Sequence, residues 1–289
     1  MGRASLLELP NGTFVGSFKD EYYLLFWDCN GEETGRNTNM KGSTTLQGLT
    51  TKGNLIVMDH HGISVKSMVK NVILGERGLN SSPVTTACSP TKEGGLVVGY
   101  CNGEARVFDN KCNEIETDFI KHDGPIVAIF QVKENFVYCY KDGYVFHDTN
   151  KLFSWQLNNH TILDAKLIDD NTLVVLAKKN DAKLAKIVFL YLHGEEKCID
   201  VNPKCKSLVL LKDGRIGYLC GGDTNPHLRI LYKYDKIKLP KCDSNLIQTS
   251  FGEIGYISEN KNLNFVKIPS MPIDVRKIIK ARDMHFLYI

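Results

Sequence analysis

The chain predicts an all-β fold, a seven-bladed β-propeller of four-stranded antiparallel blades, and three observations predict it. A turn signal returns about every forty residues, at Lys19-Asp20, His61-Gly62, Asn102-Gly103, Asp142-Gly143, Asn180-Asp181, Gly222-Asp223 and Asn260 to Asn262. Each signal lies between two short runs of alternating apolar residues, the pattern of a β-hairpin. The 289 residues, divided by that spacing, leave room for about seven such units and almost nothing else.

The elements follow repeat by repeat, with the four strands of each labelled a to d. The fourth repeat is the clearest, with strands at 125–133, 135–140, 144–147 and 152–157 and a tight turn at Lys141-Asp142-Gly143. The fifth runs through 162–167, 172–177, 186–192 and 197–201, the third through 84–88, 95–100, 104–108 and 114–120, and the sixth through 207–211, 216–220, 228–234 and 237–239. The first, second and seventh repeats show the central hairpin best, at 14–18 with 22–27, 55–58 with 63–67, and 254–257 with 263–268. Strand b is usually the most apolar of its repeat, as in Leu173-Val174-Val175-Leu176, which suits a strand covered on both faces. The expected organisation is one domain, 1–289, with blades at 4–40, 43–79, 82–121, 124–159, 160–202, 205–242 and 243–283. Residues 271–283 fit the period of a strand or of a short amphipathic helix, and the apolar 284–289 are expected to close the ring as an added strand.

Composition narrows the function classes. A hydrophobic fraction of 43% and a charged fraction of 24% argue against disorder on a large scale. The net charge of +3, from 36 basic and 33 acidic residues, is too even to argue by itself for nucleic acid or a membrane surface. The nine cysteines are odd in number, scattered and without a Cys-x-x-Cys pair. They read as reduced thiols, and the expected location is intracellular, cytoplasmic or nuclear. No basic stretch followed by an apolar core opens the chain, so no secretory signal is expected. No apolar run approaches the roughly 18 residues that span a bilayer, so no membrane insertion is expected.

With the period in place, the strand-c ends Phe26-Trp27-Asp28, Val107-Phe108-Asp109, Phe146-His147-Asp148 and Lys233-Tyr234-Asp235 carry a family resemblance. The loop Lys121-His122-Asp123-Gly124-Pro125-Ile126 adds to it, and Asn159-His160-Thr161 is a poorer copy. The chain resembles the WD40-repeat proteins, propellers whose strand c ends in Trp-Asp or aromatic-Asp and whose d-to-a loop often holds Gly-His. The resemblance covers the whole chain in period and is complete in no single repeat. It implies a network joining the loop histidine, an aspartate of the b-to-c turn, a hydroxyl on strand b and the tryptophan of strand c. His122 and Asp142 match the first two members, Cys139 or Tyr140 stands at the hydroxyl, and Phe146 stands near the tryptophan. Weaker repeats are expected to replace the network with apolar packing, because a partly satisfied buried polar network costs stability.

Motifs for chemistry are few. His60-His61 with Asp59 falls in a hairpin turn with no cysteine or further carboxylate at ligand spacing, so a solvated turn outweighs a metal site. His122 and Asp142 have the residue types of an acid–base pair, and the resemblance makes them a loop-pinning hydrogen bond instead. No phosphate-cradling or nucleophile-elbow motif occurs. Basic clusters at Lys178-Lys179 with Lys183 and Lys186, at Lys204 and Lys206, at 233–241 and at 276–282 are the best case for nucleic acid, weighed against lysines that guard sheet edges. The expected function is a non-enzymatic scaffold, without cofactor or metal, that docks protein partners within a multiprotein complex. The alternatives are a ribonucleoprotein or chromatin component contacting RNA or DNA through basic edges, and a propeller enzyme with a loop-borne active site. Candidate contacts on the loop face are His60, His61, His122, Asp142, Lys178 and Lys179.

Overall fold

The computed structural model describes residues 4–18, 21–38, 45–59, 62–67, 72–78, 84–115, 122–147, 153–179, 184–221, 226–231, 236–239, 245–258 and 260–268. Among them there is no helix, and twenty-seven strands form seven antiparallel sheets. Blade 1 comprises β1 Ala4–Glu8, β2 Phe14–Phe18, β3 Leu24–Trp27 and β4 Glu33–Asn37, and blade 2 comprises β5 Thr45–Leu49, β6 Leu55–Asp59, β7 Gly62–Ser67 and β8 Val72–Gly78. Blade 3 holds β9 Thr85–Pro90, β10 Leu96–Tyr100, β11 Ala105–Phe108 and β12 Glu114–Ile115, and blade 4 holds β13 Ile126–Val132, β14 Asn135–Tyr140, β15 Tyr144–His147 and β16 Phe153–Gln156. Blade 5 is β17 His160–Asp169, β18 Thr172–Lys179, β19 Ala185–Tyr191 and β20 Glu196–Val201, and blade 6 is β21 Ser207–Leu210, β22 Ile216–Cys220, β23 His227–Ile230 and β24 Lys236–Lys238. Blade 7 shows β25 Ile247–Gln248, β26 Ile254–Ile257 and β27 Leu263–Val266 among the described residues. The segments 271–283 and 284–289, with their expected strand or helix and closing strand, lie outside the described residues.

The described strands of every blade follow one another by simple meander, and strand a of each touches strand a of the next, from β1 through β5, β9, β13, β17 and β21 to β25 and back to β1. The molecule is a seven-bladed β-propeller. Its core lies between blades. Leu173, Val175 and Ala177 of β18 pack with blade 4, whereas Val174 and Leu176, on the opposite face, pack with blade 6. All five are fully buried, as expected for a strand whose alternate side chains serve two neighbours.

One turn is used again and again. The first residue donates its N–H to the carbonyl of the fifth and accepts from the fourth, starting at Leu9, Asp28, Thr50, Thr91, Tyr100, Asp109, Tyr191, Leu211, Thr249 and Ser258. The fourth residue has positive φ and is glycine in eight of the ten, with Cys112 and Lys261 the others. This is the three-residue hairpin loop with a left-handed bulge position, which glycine fills without steric cost. Where the first residue is threonine, its hydroxyl also accepts from the fifth N–H, at 3.1 Å in Thr50, 2.9 Å in Thr91 and 3.2 Å in Thr249. Where it is the aspartate of the aromatic-Asp motif, a carboxylate oxygen takes two N–H groups, from Asn30 and Glu32 at Asp28 and from Lys111 and Asn113 at Asp109.

Polar side chains register one blade against the next. The Leu6, Leu46 and Leu208 N–H groups on strand a donate to Asn245 at 2.8 Å, Ser17 at 3.2 Å and Asp164 at 2.7 Å, each in the preceding blade. At the other end of the sheets, the a-to-b turns donate to the strand a that follows. Lys92 N–H bonds Gln131, Lys212 N–H bonds Gln248, and Ser250 N–H bonds Glu8. The seam between blades 7 and 1 adds Lys261, whose ammonium bonds Glu21 and the Tyr23 hydroxyl, and a cluster in which Ile257 and Leu263 pack on Leu6, Phe14, Leu25 and Trp27.

Two outcomes follow. Asn245 both accepts from Leu6 N–H and donates to Leu6 O at 3.2 Å, so Asn245→Ala leaves a half-buried N–H unpaired. It should lower unfolding free energy by about 1–3 kcal/mol in denaturant titration. Asp109 is held below its ordinary value of 3.8 by the Asn113 side chain and by backbone N–H groups of Asn113 and Lys111. Because the folded value is depressed, its stabilisation is present above 3.8 and lost as pH falls through the lower folded value. Asp109→Ala should therefore melt below the parent at neutral pH, with the gap closing as the solution is acidified past that range.

Candidate docking face

The d-to-a loops and b-to-c turns share one end of the propeller, and the described residues show it most fully at blade 4. His122 precedes β13 and Asp142 follows β14, and the two meet with Nε2 2.7 Å from Oδ2. The imidazole is held between rings, with centroids 4.3 Å from Tyr144, 4.8 Å from Tyr140 and 5.5 Å from Phe146. The Tyr140 hydroxyl donates to Gly103 O at 3.3 Å, in the b-to-c turn of blade 3. Burial and then the Asp142 charge push that hydroxyl well above the ordinary tyrosine range, so it stays a donor. Tyr140 and Phe146 thus contribute aromatic rings beside His122, and the Tyr140 hydroxyl is used on blade 3.

Gly103 explains why this junction needs glycine. Its φ is +82°, and a Cβ there would fall 1.5 Å from the His122 carbonyl oxygen. The b-to-c turn of blade 3 thus slides beneath the loop that leads into blade 4, and Gly143 repeats the arrangement beneath Leu157 and His160. His160 itself does not repeat the acid–imidazole pair: its Nδ1–H donates to Asn158 O at 2.7 Å, and its ladder partner in β18 is Lys179.

Lys178 and Lys179 are both exposed, at the end of β18 opposite Thr161 and His160. Lys204 and Lys206, in the loop leading to β21, are exposed as well. The structure therefore brings His122 to Asp142, and sets Lys178 with Lys179 at the same end of the next blade. His60 and His61 lie outside the described residues, as do Asp148, Tyr234, Asp235 and Lys183. Among the described residues no group of three or more His, Cys, Asp and Glu side chains could hold a metal ion. No helix among them is long and apolar enough to cross a membrane.

Three residues of this end escape a reading of the sequence. Among the described residues five large apolar side chains are exposed, and Tyr22, Val84 and Leu184 belong to the d-to-a and b-to-c connections, whereas Phe251 lies in an a-to-b turn and Ile115 on an outer strand. The sequence pattern puts Tyr22 and Val84 inside strands 22–27 and 84–88, whereas they precede β3 and β9, and only Leu184 stands as a lone large apolar residue in a polar connection. The opposite end carries a shallow cleft of about 280 Å³ lined by Ile168, Leu210, Leu211, Lys212, Gly214 and Gln248.

The fold is that of the WD40-like β-propellers. The chain is similar to U3-55K at 13% identity, with 93% of this chain and 96% of that chain covered and a TM-score of 0.72. It is similar to the C-terminal WD40 domain of Sif2 at 13% identity, with coverage of 92% and 82% and a TM-score of 0.65. It is also similar to BBS1N, solved in complex with ARL6DN, at 12% identity, with coverage of 94% and 92% and a TM-score of 0.68. No protein-family model matches the sequence, and no curated protein matches it. At identities this low, the likeness shows the common fold alone.

The His122–Asp142 contact is partly open, its side chains 20% and 41% exposed, which sets its size. His122→Ala and Asp142→Ala should each lower stability by about 0.5–1.5 kcal/mol. In a double-mutant cycle the second substitution should cost much less in the background of the first.

Proposed function

We propose that this protein is a non-enzymatic docking platform that holds protein partners within a larger assembly, and that the end bearing the d-to-a and b-to-c connections is the contact surface. The observation that carries this reading is the exposure of Tyr22, Val84 and Leu184 on that end together with Lys178 and Lys179. Apolar side chains exposed on the same end as the glycine junctions and the pinned His122 loop offer a partner a surface on a rigid scaffold, which lowers the ordering cost of association. His122 turns its Nε2 to Asp142 and its faces to three rings, an arrangement suited to holding a loop. The solved complex of BBS1N with ARL6DN supports the use of such a platform for a protein partner. The proposed contacts are His60, His61, His122, Asp142, Lys178 and Lys179, extended by Tyr22, Val84 and Leu184.

The exposed lysines 178, 179, 204 and 206 favour a second reading, contact with RNA or DNA. Salt separates the two, since phosphate contacts release counterions and binding then weakens steeply as salt rises.

The test is gentle purification of the full chain followed by native mass spectrometry. The parent should carry a stoichiometric protein partner. Leu184→Asp combined with Lys178→Glu and Lys179→Glu should reduce its occupancy at least about tenfold, the scale of losing a central contact of about 1.4 kcal/mol or more. Phe251→Ser, at the opposite end, should leave it in place. Recovery of free monomer from the parent, or loss with Phe251→Ser alone, overturns the reading; a steep salt slope with RNA or DNA that Lys178→Ala and Lys179→Ala reduce moves it to nucleic acid.

A further inference from the structure

Blade 6 carries two thiols face to face. β21 and β22 pair Ser207 with Leu219, and Lys206 N–H also donates to Leu219 O at 2.9 Å. Two residues of the inner strand thus face one of its partner, a bulge, and the next position outward sets Cys205 against Cys220. Cys205 is 3% exposed and Cys220 is fully buried, in one cluster, and the Cys205 thiol hydrogen-bonds Cys220. In blades 3, 4 and 5 the pairs of strands a and b just beyond the corresponding register shift are Thr85 with Tyr100, Ile126 with Tyr140 and Ile162 with Ala177, which have no such chemistry.

The surroundings favour a thiolate at one sulfur. On β23, His227 is the ladder partner of Cys220 and Arg229 that of Tyr218. The Arg229 side chain bonds Tyr218 and its charge acts on both thiols, while its buried Nε has no partner among the described residues. Cys220 is held below the ordinary thiol value by the hydrogen bond from Cys205 and then by Arg229, against the cost of burial. Cys205 is pushed up, because losing its proton would break that bond and set two negative sulfurs together.

We propose that Cys205 and Cys220 form an oxidation site at which hydrogen peroxide closes a disulfide within blade 6. In the first step the Cys220 thiolate attacks one peroxide oxygen; an S–O bond forms, the O–O bond breaks and hydroxide leaves. In the second, the Cys205 sulfur attacks the Cys220 sulfur, the S–O bond breaks, and the hydroxyl departs as water with the Cys205 proton. The two sulfurs lose two electrons in all, and one peroxide becomes two waters. Peroxide, hardly larger than water, suits sites this buried better than a bulky disulfide reagent. The product ties strand a to strand b beside the exposed Lys204 and Lys206, and so alters the loop leading into blade 6. This site stands independently of the docking reading.

The reduced full-length protein, still folded by circular dichroism, is treated with hydrogen peroxide; free thiols are then alkylated and peptides mapped by mass spectrometry. A peptide pair joining Cys205 to Cys220, lighter by two hydrogens and restored by dithiothreitol, should form at least about tenfold faster than Cys139 reacts or Cys88 links to Cys112. Arg229→Gln should slow it several-fold, and Cys205→Ser should leave Cys220 as a sulfenic acid that dimedone traps. Persistence of both thiols in the parent until Cys139 reacts, or joining of Cys220 to a different cysteine, overturns the assignment.

Discussion

A sheet that is apolar on both faces cannot stand in water by itself, and this molecule is made of such sheets. The b strand of blade 5 sends Leu173, Val175 and Ala177 into one neighbour and Val174 and Leu176 into the other, each large side chain contributing roughly 1.5–3 kcal/mol when buried. No blade keeps those gains unless both neighbours are present, so the fold depends on closing the ring. Between blades 7 and 1 the closure combines the Ile257, Leu263 and Phe14 packing with the paired hydrogen bonds of Asn245 to Leu6. Asn245 is 239 residues from its partner, which makes this the join with the largest loop-closure cost.

Once the ring is closed, the hairpin ends become fixed points. The same bulged turn recurs at a-to-b, b-to-c and c-to-d positions, so a threonine hydroxyl, an aspartate carboxylate or nothing at all can cap it while glycine sustains the geometry. At the end bearing the d-to-a and b-to-c connections, Gly103 lets one turn pass beneath the His122 carbonyl, and Tyr140 reaches back to Gly103 O. Blades 3 and 4 are thereby locked at their tips as well as through their faces. Tyr22, Val84 and Leu184 are exposed at the same end.

Much of the fold was legible because its signals are local. Asp142-Gly143 and Asn102-Gly103 mark hairpins through backbone preference alone, and Leu173 to Leu176 announce a strand covered on both sides. The His122–Asp142 pair was legible through family resemblance, since its members stand twenty residues apart. The a-to-b turns were less visible, because their first residue varies between leucine and threonine. Gln131, Asp164 and Asn245 were invisible as caps: a lone polar residue on a strand does not say which blade will supply its donor. Cys205 and Cys220 looked like two of nine scattered thiols until a bulge in the ladder set one against the other.

Sequence alone determined the repeat, the strand alternation and the hairpin positions, because each of these is decided by residues within a few positions of one another. The tertiary structure decided which blades share which polar contacts, which histidine finds a carboxylate, which apolar side chains stay in solvent and which thiols meet. Those outcomes depend on surfaces brought together from distant parts of the chain, and their geometry exists only after the ring has closed.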